Sequence, residues 1–188
     1  MGIDAMRKYE GIASSHQPSV IRALPELVYP RHMNAAQVLL EGAVRNGWSD
    51  RVAYYFAGGS LTFAGLRHRS HQYADVLRKL GIGKGCKVVI RLHDGPDLIA
   101  SLLAVHIVGA VAIPTYVQLR EAELSHRIAD ADASLVIAGV ELLDEIREVF
   151  QNSSSTTAVL VIPSVDAANY HSMENLLEGN SPRFEYED

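Results

Sequence analysis

The sequence predicts an α/β fold: a parallel, doubly wound sheet of βαβ units, preceded by a small β-hairpin and a helix. Three observations carry this prediction. Continuous Val, Ile and Leu runs, typical of strands buried on both faces of a parallel sheet, occur at Val88–Ile90, Ala110–Ile113, Leu135–Ile137 and Val159–Ile162. Stretches long enough for right-handed crossover helices separate these runs, at residues 97–108, 121–131 and 140–150. Two β-prone runs flank Gly58-Gly59, which indicates a hairpin because glycine accepts the positive φ of tight turns.

Two helices are predicted around the hairpin. Asn34 has the side chain of an N-cap, and the helix that follows ends at Gly47. Its apolar residues recur at helical spacing, at Ala35, Val38, Leu39 and Ala43. After the hairpin, Thr62 can cap a second helix, which ends at Gly81. Its apolar stripe is Leu66, Tyr73, Val76, Leu77 and Leu80.

We expect one α/β subdomain, at residues 34–162, between two less regular ends. Residues 1–33 have weak periodicity and contain three prolines, so they are interpreted as a leader segment. Residues 163–188 are polar apart from Leu176-Leu177, and the chain ends at Phe184–Asp188 with no closing element. They are interpreted as a tail that leads to a missing remainder of a longer protein.

Composition narrows the classes of function. The 188 residues are 48% hydrophobic and 21% charged, with a net charge of -5, which is typical of a globular protein. Lys and Arg are scattered among acids rather than gathered in a basic stripe, so we expect no nucleic-acid partner. The one cysteine, Cys86, excludes an intrachain disulfide and a cysteine-based metal cluster, and its role stays open.

The sequence also predicts a cytoplasmic protein without a membrane association. It contains no run of about 18 apolar residues, the length needed to span a bilayer. Its first residues, MGIDAMRKYEGIASSHQ, lack the apolar core of a signal peptide.

Two stretches resemble phosphate-binding loops only in composition. Gly81–Gly85 is rich in glycine but precedes a strand, whereas a phosphate loop follows a strand and opens a helix. A C-cap and turn is the simpler interpretation. The run Ser153–Thr157 lacks glycine and a following lysine, and is interpreted as a linker. GxxxxGK[ST], GxSxG and HExxH motifs do not occur in the sequence.

The histidines are interpreted as structural or surface residues. His68 and His71 stand three residues apart on one helix, but a third metal ligand is not evident, so both are expected at exposed positions. His106 lies in an apolar helix and is expected in or beside the core. His93–Pro96 joins the end of a strand to the start of a helix, which is where α/β folds place ligands. Asp94 is nevertheless expected to cap that helix, with Pro96 near its first position.

Three segments together resemble the AMP-forming synthetase superfamily, which includes acyl-CoA ligases, luciferases and peptide-synthetase adenylation domains. Ser60–Leu66 is similar to the family's L-T-[YF]-x-x-L motif. Leu77–Val88 is similar to L-x-x-x-G-[IV]-x-[KP]-G-D-x-V, with Cys86 where aspartate is usual. Leu103–Pro114 is similar to L-A-x-x-x-x-G-A-x-x-V-P. Within the superfamily, Asn34-Ala35-Ala36 and Arg91–Asp94 resemble benzoate- and 2-aminobenzoate-CoA ligases.

The resemblance implies a ligase that forms an acyl-adenylate from a carboxylate and ATP, and then a thioester with coenzyme A. It also implies ATP, Mg²⁺ and coenzyme A for the full-length enzyme, and the remainder of the ligase as the partner of this chain. The family's T-S-G-T-T-G-x-P-K loop and catalytic lysine come later than these segments, so we expect no catalytic residue, metal ligand or bound cofactor here. An isolated chain would then be inactive, and would self-associate through apolar surface that the remainder normally covers.

One binding residue is suggested by the same resemblance. In some relatives a basic side chain shortly after the GAxxxP segment approaches a coenzyme A phosphate. Gln118 falls near that place and Arg120 is two residues on, so Arg120 is the candidate contact. Two alternatives stay open, a stand-alone α/β ligand-binding module and one subunit of a split ligase.

Overall fold

The computed structural model describes residues 30, 32–151, 157–164, 169–179 and 181–187. Its helices and strands lie in one unit, Asn34–Glu187. The helices are α1 (Ala35–Arg45), α2 (Phe63–Lys79), α3 (Pro96–Ile107), α4 (Glu121–Asp130), α5 (Leu143–Gln151) and α6 (Met173–Leu177). The strands are β1 (Val52–Phe56), β2 (Gly59–Thr62), β3 (Lys87–Arg91), β4 (Val111–Pro114), β5 (Leu135–Gly139), β6 (Ala158–Ile162) and β7 (His171–Ser172).

Five of the strands form a parallel sheet in the order β4-β3-β5-β6-β7. The centre of the sheet is in register, with Val89 of β3 opposite Ile113 of β4 and Val136 of β5. The strands β1 and β2 form a separate antiparallel hairpin. The prediction of a parallel α/β sheet preceded by a helix and a hairpin is confirmed.

Alternate residues of each central strand enter two different cores. Val88, Leu135 and Leu160 pack into a first core together with residues of α1, α2, α3 and α6. Val89 and Val136 pack into a second core with residues of α4 and α5. Because neighbouring strand residues point to opposite faces, helices cover both faces of the sheet, as in a doubly wound fold.

The predicted helix ends are confirmed. The Asn34 side chain accepts hydrogen bonds from the amides of Ala36 and Gln37, at 3.0 and 3.2 Å. The Thr62 hydroxyl accepts one from the amide of Gly65 at 3.1 Å. At the other end of α2, Gly81 has a φ of +76°, which an L side chain rarely adopts. Gly81–Gly85 is a turn before β3, as expected.

Residues 163–188, interpreted from the sequence as a polar tail, contain a further strand and a further helix. β7 adds a fifth strand beside β6, and Ser172 caps α6 by accepting from the amide of Asn175. Residues 181–187 then run back across the helices, and the amide of Glu187 donates to the carbonyl of Ile107 at 2.8 Å. A two-residue strand made of His and Ser has no apolar pattern, so the sequence contains no signal for it.

The described residues include no helix that is both long enough and apolar enough to cross a membrane.

Candidate functional site

The carboxyl edge of the parallel sheet contains a point where the chain leaves neighbouring strands in opposite directions. From β3 it passes to α3 in the first core, and from β5 it passes to α5 in the second core. Ligands of open α/β sheets bind at such a point. His93 follows β3 and Glu141 follows β5, with Nε2 and Oε1 4.0 Å apart. Sequence reasoning singled out this position, His93–Pro96, as a strand end that opens a helix.

An open cleft of about 670 Å³ lies beside this point, at the carboxyl ends of β3 and β4. Its size is in the range of small-molecule sites, about 300–1,000 Å³. The Leu92, Leu98 and Pro114 side chains give it an apolar part, and the polar groups come from residues that follow the two strands. It is lined by Leu92, His93, Asp94, Leu98, Pro114, Thr115, Tyr116, Val117 and Gln118.

The cleft suits a flat ring that carries polar substituents. Tyr116 offers an exposed ring for stacking, and Gln118 offers both a hydrogen-bond donor and an acceptor. The Thr115 hydroxyl donates to the carbonyl of Ile90 at 3.3 Å, so it is held as part of the wall. The sequence analysis did not predict that the loop with Tyr116 and Gln118 lines a cleft. Its position directly after a predicted strand could have indicated this, because ligands of α/β sheets bind at the carboxyl ends of strands.

Arg91, the last residue of β3, is fully buried beneath this loop. Its guanidinium donates to three carbonyls, those of Tyr116 at 3.3 Å, Val117 at 2.9 Å and Leu119 at 3.0 Å. Its Nη2 also lies 3.7 Å from Oε2 of Glu145 on α5. Burial lowers the pKa of Arg91 and the Glu145 carboxylate opposes that shift. Sequence reasoning did not identify Arg91 as a site residue, since an arginine ending an apolar strand has no motif of its own.

The structure separates Arg120 from the cleft. Arg120 is the N-cap residue of α4, and its Nη1 lies 3.6 Å from Oε1 of Glu145. Gln118 lines the cleft, whereas Arg120 lines a different recess of about 400 Å³ between α4 and α5. Four carboxylates share that recess, those of Glu121, Asp144, Glu145 and Glu148. An anion that reached Arg120 would therefore also meet negative charge.

A second polar cluster holds the chain end against α1 and α2. The Tyr186 hydroxyl donates to Oε1 of Glu41 at 2.7 Å and lies 3.0 Å from Nε2 of His71. Arg67 donates to the same Glu41 oxygen at 2.7 Å, and its guanidinium lies 3.9 Å from the centre of the Phe184 ring.

Burial sets the protonation of this cluster. It lowers the pKa of His71 to about 4 and raises that of Tyr186. Burial alone would raise the pKa of Glu41, but hydrogen bonds from Arg67 and Tyr186 outweigh it and hold that pKa below its ordinary value. Asp75 adds a further link to the chain end, because it accepts from the backbone amide of Arg183 at 2.8 Å.

Three expectations about single residues are wrong. His71 is buried, because α3 and the segment 181–187 pack on α2 in addition to the sheet. His106 is exposed, on the side of α3 away from the first core. The N-cap of α3 is Gly95 rather than Asp94, although Pro96 does occupy the first turn.

The other candidates behave as surface or packing residues. His68 is exposed, as expected. Cys86 is a half-buried free thiol against the first core. The Ser153–Thr157 run lies outside the described residues apart from Thr157. Within the described ranges, no three His, Cys, Asp or Glu side chains are placed to hold a metal ion.

Comparison with known proteins gives matches in sequence and in structure. The family model described as AMP-binding enzyme matches residues 41–183. The 3-hydroxybenzoate–CoA/4-hydroxybenzoate–CoA ligase of Thauera aromatica is 28% identical over 117 residues, which cover 62% of this chain and 22% of that protein. The chain therefore spans about a fifth of the length of this relative.

Two solved structures share the fold. A benzoate CoA ligase from Burkholderia xenovorans LB400 matches with a TM-score of 0.71 and 21% identity, over 82% of this chain and 30% of that one. The anthranilate CoA ligase AuaEII, solved with anthranoyl-AMP, matches with a TM-score of 0.75 and 21% identity, over 85% of this chain and 30% of that one. At this identity the likeness shows the fold alone.

Proposed function

The chain belongs to the AMP-binding enzyme family, since that model matches residues 41–183, and we propose that it is the N-terminal portion of an ATP-dependent acyl- or aryl-CoA ligase. The family match over most of the chain, on a sheet with a cleft at its carboxyl edge, is the observation that carries the proposal. The chain spans only part of its relatives, so the reaction is assigned to the complete ligase.

The complete ligase would join a carboxylic acid to coenzyme A in two steps. The carboxylate attacks the α-phosphorus of ATP, which forms an acyl-adenylate and releases pyrophosphate. The coenzyme A thiol then attacks the acyl carbon, which forms the thioester and releases AMP. An aromatic acid is the favoured substrate class, because the relative from Thauera aromatica is a hydroxybenzoate–CoA ligase.

The residues of this chain do not fit a bound ATP. A triphosphate and its Mg²⁺ need a loop of backbone amides and a lysine, and the sequence contains neither GxxxxGK[ST] nor the T-S-G-T-T-G loop. Adenylation is therefore assigned to the remainder of the ligase, and this chain alone would be inactive.

The fit to coenzyme A is better. The cleft offers an exposed aromatic ring, Tyr116, and the amide of Gln118, which suit an adenine ring. Arg120 lies two residues beyond but in the separate recess with four carboxylates, so it would contact a phosphate of the coenzyme only if that phosphate displaced Glu145. In this arrangement the chain binds and orients the coenzyme, whose thiol supplies the chemistry of the second step.

The partner of this chain would be the rest of the ligase, its N-terminal domain remainder and its C-terminal domain. Several large apolar side chains of the unit are exposed, among them Val38, Leu39, Tyr55 and Val111. Apolar side chains that form a continuous exposed patch mark an interaction surface. We expect the remainder to cover it in the complete enzyme, which we expect to work in the cytoplasm.

A chimeric ligase tests the proposal. The region of the Thauera aromatica ligase that corresponds to this chain is replaced by the full chain, and hydroxybenzoyl-CoA formation is measured. We expect activity to return relative to a ligase that lacks the region. The matched control carries Ile137→Asp, which places a charge in the buried centre of the sheet and should abolish the gain. A folded chimera that makes no thioester would refute the proposal.

The cleft also supports a second function, a stand-alone ligand-binding module. The isolated chain distinguishes the two. ATP–pyrophosphate exchange should be nil under both, so the deciding experiment is the chimera together with binding of coenzyme A to the chain alone. Tight binding of another small molecule, with no complementation in the chimera, would favour the module. Activity that returns when a separate polypeptide supplies the remainder would indicate a split ligase.

A further inference from the structure

The buried guanidinium of Arg91 is a feature that the core does not require. Taking a cation out of water is costly unless hydrogen bonds and a counter-charge compensate it. The neighbouring strand β5 has Ala138 at the paired position and is equally buried. An apolar residue would therefore fit at position 91 of the sheet. The role of the buried cation must come from the groups that it contacts.

All three carbonyls that Arg91 contacts belong to one loop, between β4 and α4. That loop also contributes Tyr116, Val117 and Gln118 to the cleft. Without this donor, the carbonyls of Val117 and Leu119 would lose the partner described here, and that of Tyr116 would keep only the amide of Leu119. The loop would then have to turn the unpaired carbonyls elsewhere. The planar guanidinium can reach several acceptors at once, whereas a lysine offers one compact ammonium.

Glu145 connects Arg91 to the candidate phosphate contact. One carboxylate oxygen lies 3.7 Å from Nη2 of Arg91 and the other lies 3.6 Å from Nη1 of Arg120. The Arg120 side chain is 84% exposed. The ion pair with Glu145 therefore restricts the conformation of a side chain that lies mostly in solvent. The two arginines therefore share one counter-charge.

We propose that Arg91 is a positioning residue for the coenzyme site: it fixes residues 116–119 through their carbonyls, and Glu145, its counter-charge, holds Arg120 until a ligand phosphate replaces it. This inference rests on the proposed coenzyme-binding role of the cleft. On this proposal, the affinity of the cleft for the coenzyme depends on Arg91, which does not itself line the cleft. Glu145 acts in the opposite sense, as a competitor of the phosphate.

Two substitutions separate positioning from stability in the 188-residue chain. Arg91→Lys keeps the positive charge but loses the planar guanidinium with its several donors. Arg91→Met removes the charge and keeps a side chain of similar length. Arg147→Met is the matched control, since Arg147 pairs with Asp144 at 2.8 Å on the outside of the same helix as Glu145. Hydrogen exchange reports the loop through the amides of Thr115 and Leu119, which donate to the carbonyls of Ile90 and Tyr116.

In Arg91→Lys we expect these two amides to exchange at least about tenfold faster, while amides of β6 keep their protection. Coenzyme A, titrated into the labelled chain and followed by amide chemical shifts, should bind at least about tenfold more weakly than to the unsubstituted chain. A merely structural arginine would change β6 as much as the loop. Should Arg91→Met not fold, Arg91→Lys alone decides the question.

Glu145→Gln tests the competitor role. It removes the counter-charge of Arg120 with little change of shape, and coenzyme A affinity should rise about two- to fivefold, the range expected for an exposed ion pair. Arg120→Gln should abolish that rise.

The two proposals fail in different ways. If the unsubstituted chain binds no coenzyme A, the coenzyme site itself is refuted, and this role of Arg91 with it. If the unsubstituted chain binds coenzyme A and a folded Arg91→Lys binds it equally well, the positioning role alone is overturned. Unchanged exchange at Thr115 and Leu119 in that variant also overturns it.

Discussion

Acid should weaken the fold through His71, because this imidazole is buried in its neutral form beside cations. Its pKa falls to about 4 from an ordinary value of 6.5. Burial, together with the charges of Arg67 and Arg78, lowers the pKa of His71. These effects outweigh the backbone of Arg183 and the carboxylate of Glu41, which favour protonation and raise that pKa. The Tyr186 hydroxyl also faces the ring. Between pH 6.5 and pH 4 the unfolded chain therefore binds more protons than the folded chain, so stability falls as the pH is lowered.

The size of the effect follows from that difference. At roughly 1.4 kcal/mol for each pH unit, the neutral imidazole contributes up to about 3 kcal/mol, which is fully present above pH 6.5 and lost towards pH 4. About 2 kcal/mol of it should be lost between pH 7 and pH 5. Glu41, whose pKa is lowered, adds a loss in the same direction only near and below its ordinary pKa of 4.5. Measurements above pH 5 therefore isolate His71.

Urea unfolding followed by circular dichroism at pH 7, 6 and 5 measures the free energy of unfolding. His71→Gln keeps a side-chain amide that can donate to the Tyr186 hydroxyl but does not titrate, and should flatten the pH dependence. His68→Gln, on the exposed side of the same helix, should leave it unchanged. The reasoning is refuted if His71→Gln shows the same slope as the unsubstituted chain.

Three further predictions concern stability and assembly. Asn34→Ala removes the α1 cap and two donations at 2.7 Å to carbonyls of the unit, and should cost about 2 kcal/mol in urea unfolding. Asn34→Asp keeps the cap acceptor but turns a carboxylate oxygen towards those two carbonyls, so it should not recover the loss. Ile137→Ala in the central strand should cost about 2–5 kcal/mol by the same assay, whereas Val111→Ala at the exposed edge strand should cost below about 1 kcal/mol. Light scattering of the isolated chain should show self-association that increases with concentration, because its apolar surface is uncovered; a monodisperse monomer at high concentration would count against this.

The scaffold could be predicted from the sequence because its signals are local. Strands such as Leu135–Ile137 and Val159–Ile162 are buried on both faces of the sheet. Burial on both faces requires an apolar residue at every position, and the sequence shows this as a continuous apolar run. Helix ends are set by single residues with their own chemistry, as at Asn34 and Gly81.

The polar contacts could not be predicted, because each one joins residues that are far apart in the sequence and forms no periodic pattern along the chain. His71 was expected on an exposed face, since the apolar stripe of α2 explains only the contact with the sheet. Its burial comes from Tyr186, 115 residues later in the chain, and nothing in either neighbourhood marks the pair. Arg91 and the loop it holds are separated by 25 to 28 residues, and the contacts use backbone carbonyls, which every residue has.

The scaffold and the cleft loop differ in how freely their side chains can be substituted, and the loop is where ligand binding can change. A substitution in the two cores is penalised at once, because both sides of the sheet are packed against helices. The loop at 116–119 is held by the guanidinium of Arg91, and three of its residues line an open cleft, Tyr116, Val117 and Gln118. Tyr116 and Gln118 can therefore vary with the ligand while Arg91 keeps the backbone in place. On this reasoning, exchanging Tyr116 should change which ligand binds with little loss of stability, whereas exchanging Arg91 should weaken binding of every ligand of the cleft.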